Sequence, residues 1–386
     1  MEKEEIAVRN DRLRRHMFAL ADREFWEKND RLIGESIEKI GGEGLEGIRT
    51  VYLTGHGTSF ATAENGQSIM SRIAGVYTRA LYAYELWRYP EEFLIEPGRT
   101  LVIGITCGGN TESVRLALKE SRQRGARTML ISHDGECSCS EEAQFRIRTD
   151  CRVEECADVQ AYTVSHLFLL TAVFKTALLL ASKNGTADRN SIESWEEKFE
   201  DVRKKMDCIP QLFEKMRLLA LWYKESGAEN FAVLGAGPNR GTMVEGALKI
   251  CEMAWKFGAG EELEDFAHGR FREMDGTIPL LILSPSERTK DKVMDILAGC
   301  KIAEVPAIVF TQEADAAMRK MAKQVVLMPR IEDEYMTPFL YVLPLWFFGF
   351  HIRNLENEMV GEKRFGLFAR DIDFKAHFDQ QGERIS

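Results

Sequence analysis

The stretch Thr50-Val51-Tyr52-Leu53-Thr54-Gly55-His56-Gly57-Thr58-Ser59 decides the fold. Thr50–Leu53 is a short apolar run of strand type, and a glycine-bearing turn follows it at once. From about Phe60 to Ala74 the apolar spacing becomes helical. Strand, glycine turn and helix in that order open a βα unit, and repeated βα units imply a parallel sheet with helices on its faces.

The same order recurs along the chain. Thr100–Ile105 is apolar throughout, as a parallel strand buried on both faces requires. The turn Thr106-Cys107-Gly108-Gly109-Asn110-Thr111 follows, then a helix to about Arg124, with further strands at Thr128–Ser132 and Phe145–Arg148. The pattern restarts at Asn230–Leu234, with the turn Gly235-Ala236-Gly237 and a helix over Arg240–Lys256. Pro279–Ser284, Pro306–Phe310 and Gln324–Leu327 read as strands, with Asp291–Gly299 on a helix. The expected fold class is α/β, with two tandem doubly wound parallel sheets of the flavodoxin-like kind.

Between and around these units the chain reads as helical. Residues 1–48 form an entry segment whose run Glu35–Ile40 stops at Gly41-Gly42. The first domain is expected over 49–190 and includes a long buried helix over Glu155–Ser182 and a polar break at Asn184–Asn190. A connector spans 191–228, amphipathic over Trp195–Glu225 and broken near Pro210. The second domain covers 229–360, with a long apolar helix over Met336–Arg353, and a tail of 361–386 packs on the rest.

Bulk properties exclude several functions. The 386 residues are 45% hydrophobic and 29% charged, an ordinary globular balance. A net charge of −10 gives no electrostatic support to a nucleic-acid partner. The opening MEKEEIAVRNDRLRRHMF lacks the apolar core of a secretory signal. The apolar stretches Leu167–Ala181 and Phe339–Phe350 fall short of the ~20 residues that span a bilayer, so a membrane is not expected. Eight cysteines include no CxxC pair. Cys137, Cys139, Cys151 and Cys156 are read as reduced thiols of a cytoplasmic protein in preference to a zinc site, so neither metal nor cofactor is expected.

Three segments carry chemistry. The turns Gly57-Thr58-Ser59 and Thr106-Cys107-Gly108-Gly109-Asn110-Thr111 each lie between a strand and a helix. Unpaired N–H groups, the helix dipole and hydroxyls there suit a phosphate, and two such turns at neighbouring strand ends converge on one anion. The plain alternative is that Ser59 and Thr111 only cap helices. The Walker pattern is absent, and so is a well-placed GxGxxG. In Val244-Glu245-Gly246-Ala247-Leu248-Lys249-Ile250-Cys251-Glu252, the three charged residues share one helix face, either as a solvated stripe or as a buried general base beside a lysine. In Glu262-Leu263-Glu264-Asp265-Phe266-Ala267-His268-Gly269, His268 reads as an exposed, positioned imidazole.

GHGTS, the LVIGIT strand with its GGNT turn, EGALKICE and AHG occur in the order found in the tandem sugar-isomerase (SIS) domain family. They resemble the isomerase half of glutamine–fructose-6-phosphate aminotransferase and the stand-alone fructosamine-6-phosphate deglycases and phosphosugar isomerases. The resemblance covers about residues 45–370. It implies that Ser59, Thr106 and Thr111, with the turn residues Gly57, Thr58, Cys107, Gly108 and Asn110, hold a sugar phosphate. It implies that Glu252 shuttles a proton between sugar carbons 1 and 2. It further implies that His268 assists ring opening from the neighbouring subunit of a homodimer, with Glu245 and Lys249 as supporting catalytic positions.

Three departures qualify the likeness. The family turn Ser-Gln-Ser-Gly-Glu-Thr is Thr-Cys-Gly-Gly-Asn-Thr here. The position nearest the family's imine-forming lysine is Arg370, which stays protonated, and Lys375 aligns poorly. The chain begins Met-Glu-Lys, with no N-terminal cysteine nucleophile. The expected activity is therefore deglycation or deamination of a fructosamine or amino-sugar phosphate. A plain aldose–ketose phosphosugar isomerase and a non-catalytic sugar-phosphate-binding regulator are the alternatives.

Overall fold

The computed structural model describes residues 3–41, 44–153 and 163–361, and the backbone of a small antiparallel pairing of His377–Phe378 with Arg384–Ile385. Helices α1 (Lys3–Phe18) and α2 (Arg23–Ile40) lead into β1 (Thr50–Gly55), α3 (Thr58–Ala74), β2 (Tyr77–Tyr82), α4 (Ala83–Arg88) and α5 (Pro90–Phe93). There follow β3 (Thr100–Ile105), α6 (Glu112–Gln123), β4 (Arg127–Ser132), β5 (Phe145–Arg148) and α7 (Val164–Lys183). Helices α8 (Arg189–Lys204) and α9 (Ile209–Glu225) connect the halves. The second half runs β6 (Asn230–Gly235), α10 (Arg240–Ala254), β7 (Phe257–Glu262), α11 (Leu263–His268), β8 (Leu280–Ser284) and α12 (Lys290–Ala303). It closes with β9 (Ala307–Thr311), α13 (Ala316–Met321), β10 (Gln324–Leu327), α14 (Pro338–Tyr341) and α15 (Leu343–Asn354).

The first sheet has the order β2-β1-β3-β4-β5 and the second β10-β9-β8-β6-β7, all parallel. Read from the other edge, the second order is that of the first. The starts of the first four strands of each half keep an offset of 180 residues, Thr50 and Asn230, Tyr77 and Phe257, Thr100 and Leu280, Arg127 and Ala307, and the fifth pair, Phe145 and Gln324, differs by 179. Turn geometry follows suit, since Gly57 and Gly237 both adopt positive φ, at 55° and 56°. An L-residue side chain is strained there, so glycine fits both turns.

Each strand order reverses direction between its first and third strands, and a crevice opens there at the carboxyl ends. A Cβ on Gly55 would lie 2.9 Å from Ile105 O, so the turns leaving β1 and β3 are pressed side by side at that crevice.

The two sheets share one central core. It takes Val51, Leu53 and Ile103 from the first sheet, Val233, Leu281 and Phe310 from the second, and the buried faces of α3, α7, α10 and α15 between them. Separate cores cover the outer faces, under α4 and α6 on one side and α11 and α12 on the other. Helices α3 and α10 cross closely enough that a Cβ on Gly241 would lie 2.1 Å from Ala61 O. At that crossing Asn65 Oδ1 accepts from Thr242 N at 2.8 Å.

Several expectations need correction. The edge strands β2 and β7 are absent from the sequence reading, because both are partly exposed and β7 carries two glycines, so neither forms a continuous apolar run. Helix α3 starts at Thr58, two residues before the expected Phe60. The connector breaks at a 3₁₀ turn over Lys205–Cys208, and Pro210 sits in the first turn of α9, where its missing N–H costs nothing. The apolar helix near the C-terminus is split at Val342 into α14 and α15. Val164–Lys183 and Glu334–Asn354, at 20 and 21 residues, are long and apolar enough to cross a membrane, contrary to the estimate from the shorter runs. They pack inside the fold, 89% and 94% buried. The expected helix start at Glu155, Cys156, Arg370 and Lys375 lie outside the described residues.

Candidate functional site

The first-half turns form one wall of the site. Neither Ser59 nor Thr111 caps its helix through its side chain, as the plain alternative required. The α3 N-cap is Gly57, and Ser59 lies inside the helix, buried, with its N–H bonded to His56 O. Thr111 is the N-cap residue of α6, but its hydroxyl meets that of Thr106 at 2.8 Å instead of capping the helix. Thr106 and Thr111 therefore share a hydroxyl pair at the end of β3. A Cβ on Gly108 would meet nothing within 4 Å, which leaves that backbone open. Gly109 cannot be replaced so easily, because its Cβ would fall 2.3 Å from Cys137 Sγ at a φ of +70°. Asn110 is spent on the turn: its Nδ2 donates to Gly108 O at 2.9 Å and its Oδ1 accepts from Ser138 N at 3.0 Å.

Helix α10 of the second half forms the facing wall. Its charged stripe points inward. Glu245 and Lys249 have no exposed side-chain surface, while Glu252 keeps 44%. Lys249 Nζ donates to Thr58 Oγ1 at 2.7 Å and to Glu252 Oε2 at 2.6 Å, and lies 3.6 Å from Glu245 Oε1. One ammonium thus ties the Gly-Thr-Ser turn to the half-exposed carboxylate. Burial pushes the Glu245 carboxyl up to about 7, against the pull of Lys249. Burial works to lower the pKa of Lys249, but Glu245 and Glu252 outweigh it and leave the pKa above the ordinary value.

Beneath Lys249 lies His166 of α7, a residue the sequence reading passed over as part of an apolar run. Its Nδ1 is 2.9 Å from Thr62 Oγ1 and its Nε2 3.3 Å from Asn65 Nδ2. Burial, then the nearby Lys249, depress its pKa to about 3, so it is a neutral strut under the pair. His56 was quoted in its motif without a role. It is half-buried and stacks on Tyr82 at 6.1 Å between centroids, with its pKa lowered by burial.

His268 stands apart from these groups. It ends α11 with a 73% exposed side chain, and its Nε2 lies 3.0 Å from Glu264 Oε1, a carboxylate that also pairs with Lys292. No described contact joins it to α10 or to the turns of the first half. The structure thus gathers Gly57, Thr58, Glu245, Lys249 and Glu252 at the crevice, with Ser59 in the same turn and Thr106 and Thr111 in the turn pressed beside it.

Cysteines group differently from the sequence reading. Among the described residues all are free thiols. Cys137 packs against Gly109, and burial pushes the Cys139 thiol up to about 12. Cys107 instead meets Cys151 and His133. Its thiol is held down to about 5, chiefly by the hydrogen bond from Cys151 and then by His133, against burial.

Residues 44–175 match the model of the SIS domain family. The isomerizing glutamine–fructose-6-phosphate aminotransferase of Thermococcus kodakarensis is 27% identical over 300 residues, 78% of this chain and 48% of that protein. The chain spans about half the length of the curated relatives it matches. Among solved structures, the C-terminal domain of glucosamine-fructose-6-phosphate aminotransferase from Francisella tularensis superposes with a TM-score of 0.76 at 18% identity, over 90% of this chain and 98% of that one. Glucosamine-6-phosphate deaminase from Thermotoga maritima gives 0.64 at 17%, over 90% and 96%. At these identities the structural likeness establishes the fold.

Proposed function

We propose, from the SIS domain at residues 44–175, that this chain is a phosphosugar-processing enzyme that moves a proton between sugar carbons 1 and 2 and releases an amine. Its substrate is a fructosamine 6-phosphate or an amino-sugar phosphate. The reading rests on Lys249, which is hydrogen-bonded at once to Thr58 in the expected phosphate turn and to Glu252 on α10. A phosphate held by Ser59, Thr106 and Thr111 places the far end of an open-chain sugar toward the half-exposed Glu252. Remote binding then orients carbons 1 and 2 for proton transfer. Lys249, kept charged by two carboxylates, offers a cation to the enediolate oxygen. Glu252 removes the proton from one carbon and returns it to the other, which turns the amine-bearing carbon into an imine; water adds there, the C–N bond breaks, and sugar phosphate and free amine leave. A placed carboxylate of this kind contributes roughly 10²–10⁴ in rate.

His268, exposed and remote within its own chain, is proposed to act across a homodimer, from the neighbouring subunit, on ring opening. The protein is proposed to work in the cytoplasm. The experiment is incubation with a panel of fructosamine and amino-sugar 6-phosphates, reading product sugar phosphate and free amine together. Turnover with amine release is the expected result; no change in any member of the panel overturns the reading. A second reading, aldose–ketose isomerisation without amine release, uses the same Glu252 and, like the first, needs no lysine at the position of Arg370. It predicts sugar interconversion with no amine in the same assay.

A further inference from the structure

Three neighbouring strands of the first sheet end in side chains of a kind that can ligate a metal. Cys107 follows β3, His133 follows β4 and Cys151 lies just beyond β5. One ligand atom from each lies within 4.8 Å of the other two. His133 Nε2 is 3.0 Å from Cys151 Sγ. Its other nitrogen, Nδ1, faces Thr149 Oγ1, so the tautomer that donates to Thr149 leaves Nε2 free as a ligand. Backbone bonds fix the three carriers against one another, with His133 N on Cys107 O and Thr149 N on Ser132 O, both at 2.9 Å. His16 of α1 covers the group, its Nε2 2.7 Å from Cys151 O. Ser165, 1% exposed at the start of α7, contributes a hydroxyl to the surroundings of the Cys107 sulfur and, among the described residues, has no hydrogen-bond partner.

We propose that Cys107, His133 and Cys151 form a Zn²⁺ site that clamps the turn after β3 to the ends of β4 and β5. Two thiolates and an imidazole make a soft set, which favours zinc over magnesium or calcium. Tetrahedral zinc holds sulfur at ~2.3 Å and nitrogen at ~2.0 Å, so its ligand atoms lie ~3.5–3.8 Å apart, and Cys151 and His133 need to separate by under about an ångström. On binding, any proton still held by either sulfur passes to water and the ion takes its place between the three side chains. A solvent molecule fills the fourth position. The turn that carries Thr106, Gly108 and Thr111 is then anchored at Cys107 by coordination as well as by hydrogen bonds. The proposal does not depend on the proposed activity, and its test reads no turnover.

The full chain, stripped of metal under reducing conditions, is titrated with Co²⁺ in the absence of oxygen. The expected result is one ion per chain, with a thiolate-to-cobalt charge-transfer band and tetrahedral visible bands, both erased by Zn²⁺. Cys151→Ser and His133→Gln should each weaken binding at least tenfold, and Cys300→Ser, buried in the other half, should not. If the first two variants do not fold, alkylation of the wild type decides. Zinc should protect Cys107 from iodoacetamide, as mapped by mass spectrometry. A wild type without the charge-transfer band, Cys151→Ser and His133→Gln variants that keep wild-type affinity, or equal alkylation of Cys107 with and without zinc overturns the proposal.

Discussion

The ammonium of Lys249 and the hydroxyl of Thr58 are 2.7 Å apart although 191 positions separate them in the chain. This bond joins the halves at the crevice, and it stands beside a carboxylate, Glu245, that has no exposed surface. Replacing Lys249 by Met strands that carboxylate. Removing one partner of a buried ion pair costs about 3–5 kcal/mol. Lys249→Met should therefore lower the denaturation midpoint sharply, and adding Glu245→Gln should restore much of the loss. Unfolding the single and double variants in urea checks the order; a double variant no more stable than the single one contradicts it.

Glu252 is the half-exposed member of the trio, so its amide variant should fold normally. Glu252→Gln is expected to keep its melting temperature and its binding of substrate while turnover drops by roughly 10²–10⁴. Steady-state kinetics with binding measured by calorimetry separates the two effects. Undiminished turnover removes Glu252 from the mechanism.

The Thr106–Thr111 hydroxyl pair is proposed to bind the phosphate. Thr106→Val deletes one member while keeping the shape. Hydrogen bonds to charged groups are worth ~1.5–3 kcal/mol, so KM for a phosphorylated substrate should rise roughly 10–100-fold. Affinity for the corresponding unphosphorylated sugar should stay as it was. Equal losses for both would show that the hydroxyl only shapes the turn.

Glu245 gives the fold a pH dependence with a definite sign. Its pKa is raised from 4.5 to about 7 in the fold, so the native protein binds the extra proton between those values. Its stabilising contribution is then present below pH 4.5 and is lost as pH rises through about 7. Glu245→Gln should become progressively more stable than wild type over that interval, by on the order of 1–3 kcal/mol. Melting curves of both proteins from acid to neutral pH test this, and a flat difference refutes it.

Gly241 marks the crossing of α3 and α10. Its added Cβ would meet Ala61 O at 2.1 Å and Asn65 N at 2.5 Å, both rigid backbone atoms. Gly241→Ala is expected to destabilise by about 1–3 kcal/mol or more, as overpacking does. Gly299→Ala, on the exposed side of α12 with nothing within 4 Å, should be neutral or slightly stabilising. Comparative unfolding of the two alanine variants is the measurement.

Much of the fold could be read in advance because its central strands are buried on both faces. Central Thr100–Ile105 and the edge strands Phe145–Arg148 and Gln324–Leu327 have the expected bounds, and the other central strands shift by a residue or two. The other two edge strands escaped, because Tyr77–Tyr82 alternates exposed and buried residues and Phe257–Glu262 carries two glycines and two glutamates. At the site, the helical period placed Glu245, Lys249 and Glu252 on one face, but only packing decides that the face turns inward toward Thr58. His166 and the Cys107–His133–Cys151 group were missed for the same reason. Their residues are far apart in sequence and meet only because strand order brings β3, β4 and β5 together.

The constant spacing between the halves carries one last implication. At the positions where the first half has Thr58 and Ser59, the second half has Pro238 and Asn239, and where the second half has Lys249 and Glu252, the first has Ile69 and Arg72. At these positions neither half carries the other's side chains, so the bond between Thr58 and Lys249 draws on both. A fragment holding either half alone would lack one end of that bond, so the crevice where Thr58 meets Lys249 forms only when both halves fold together.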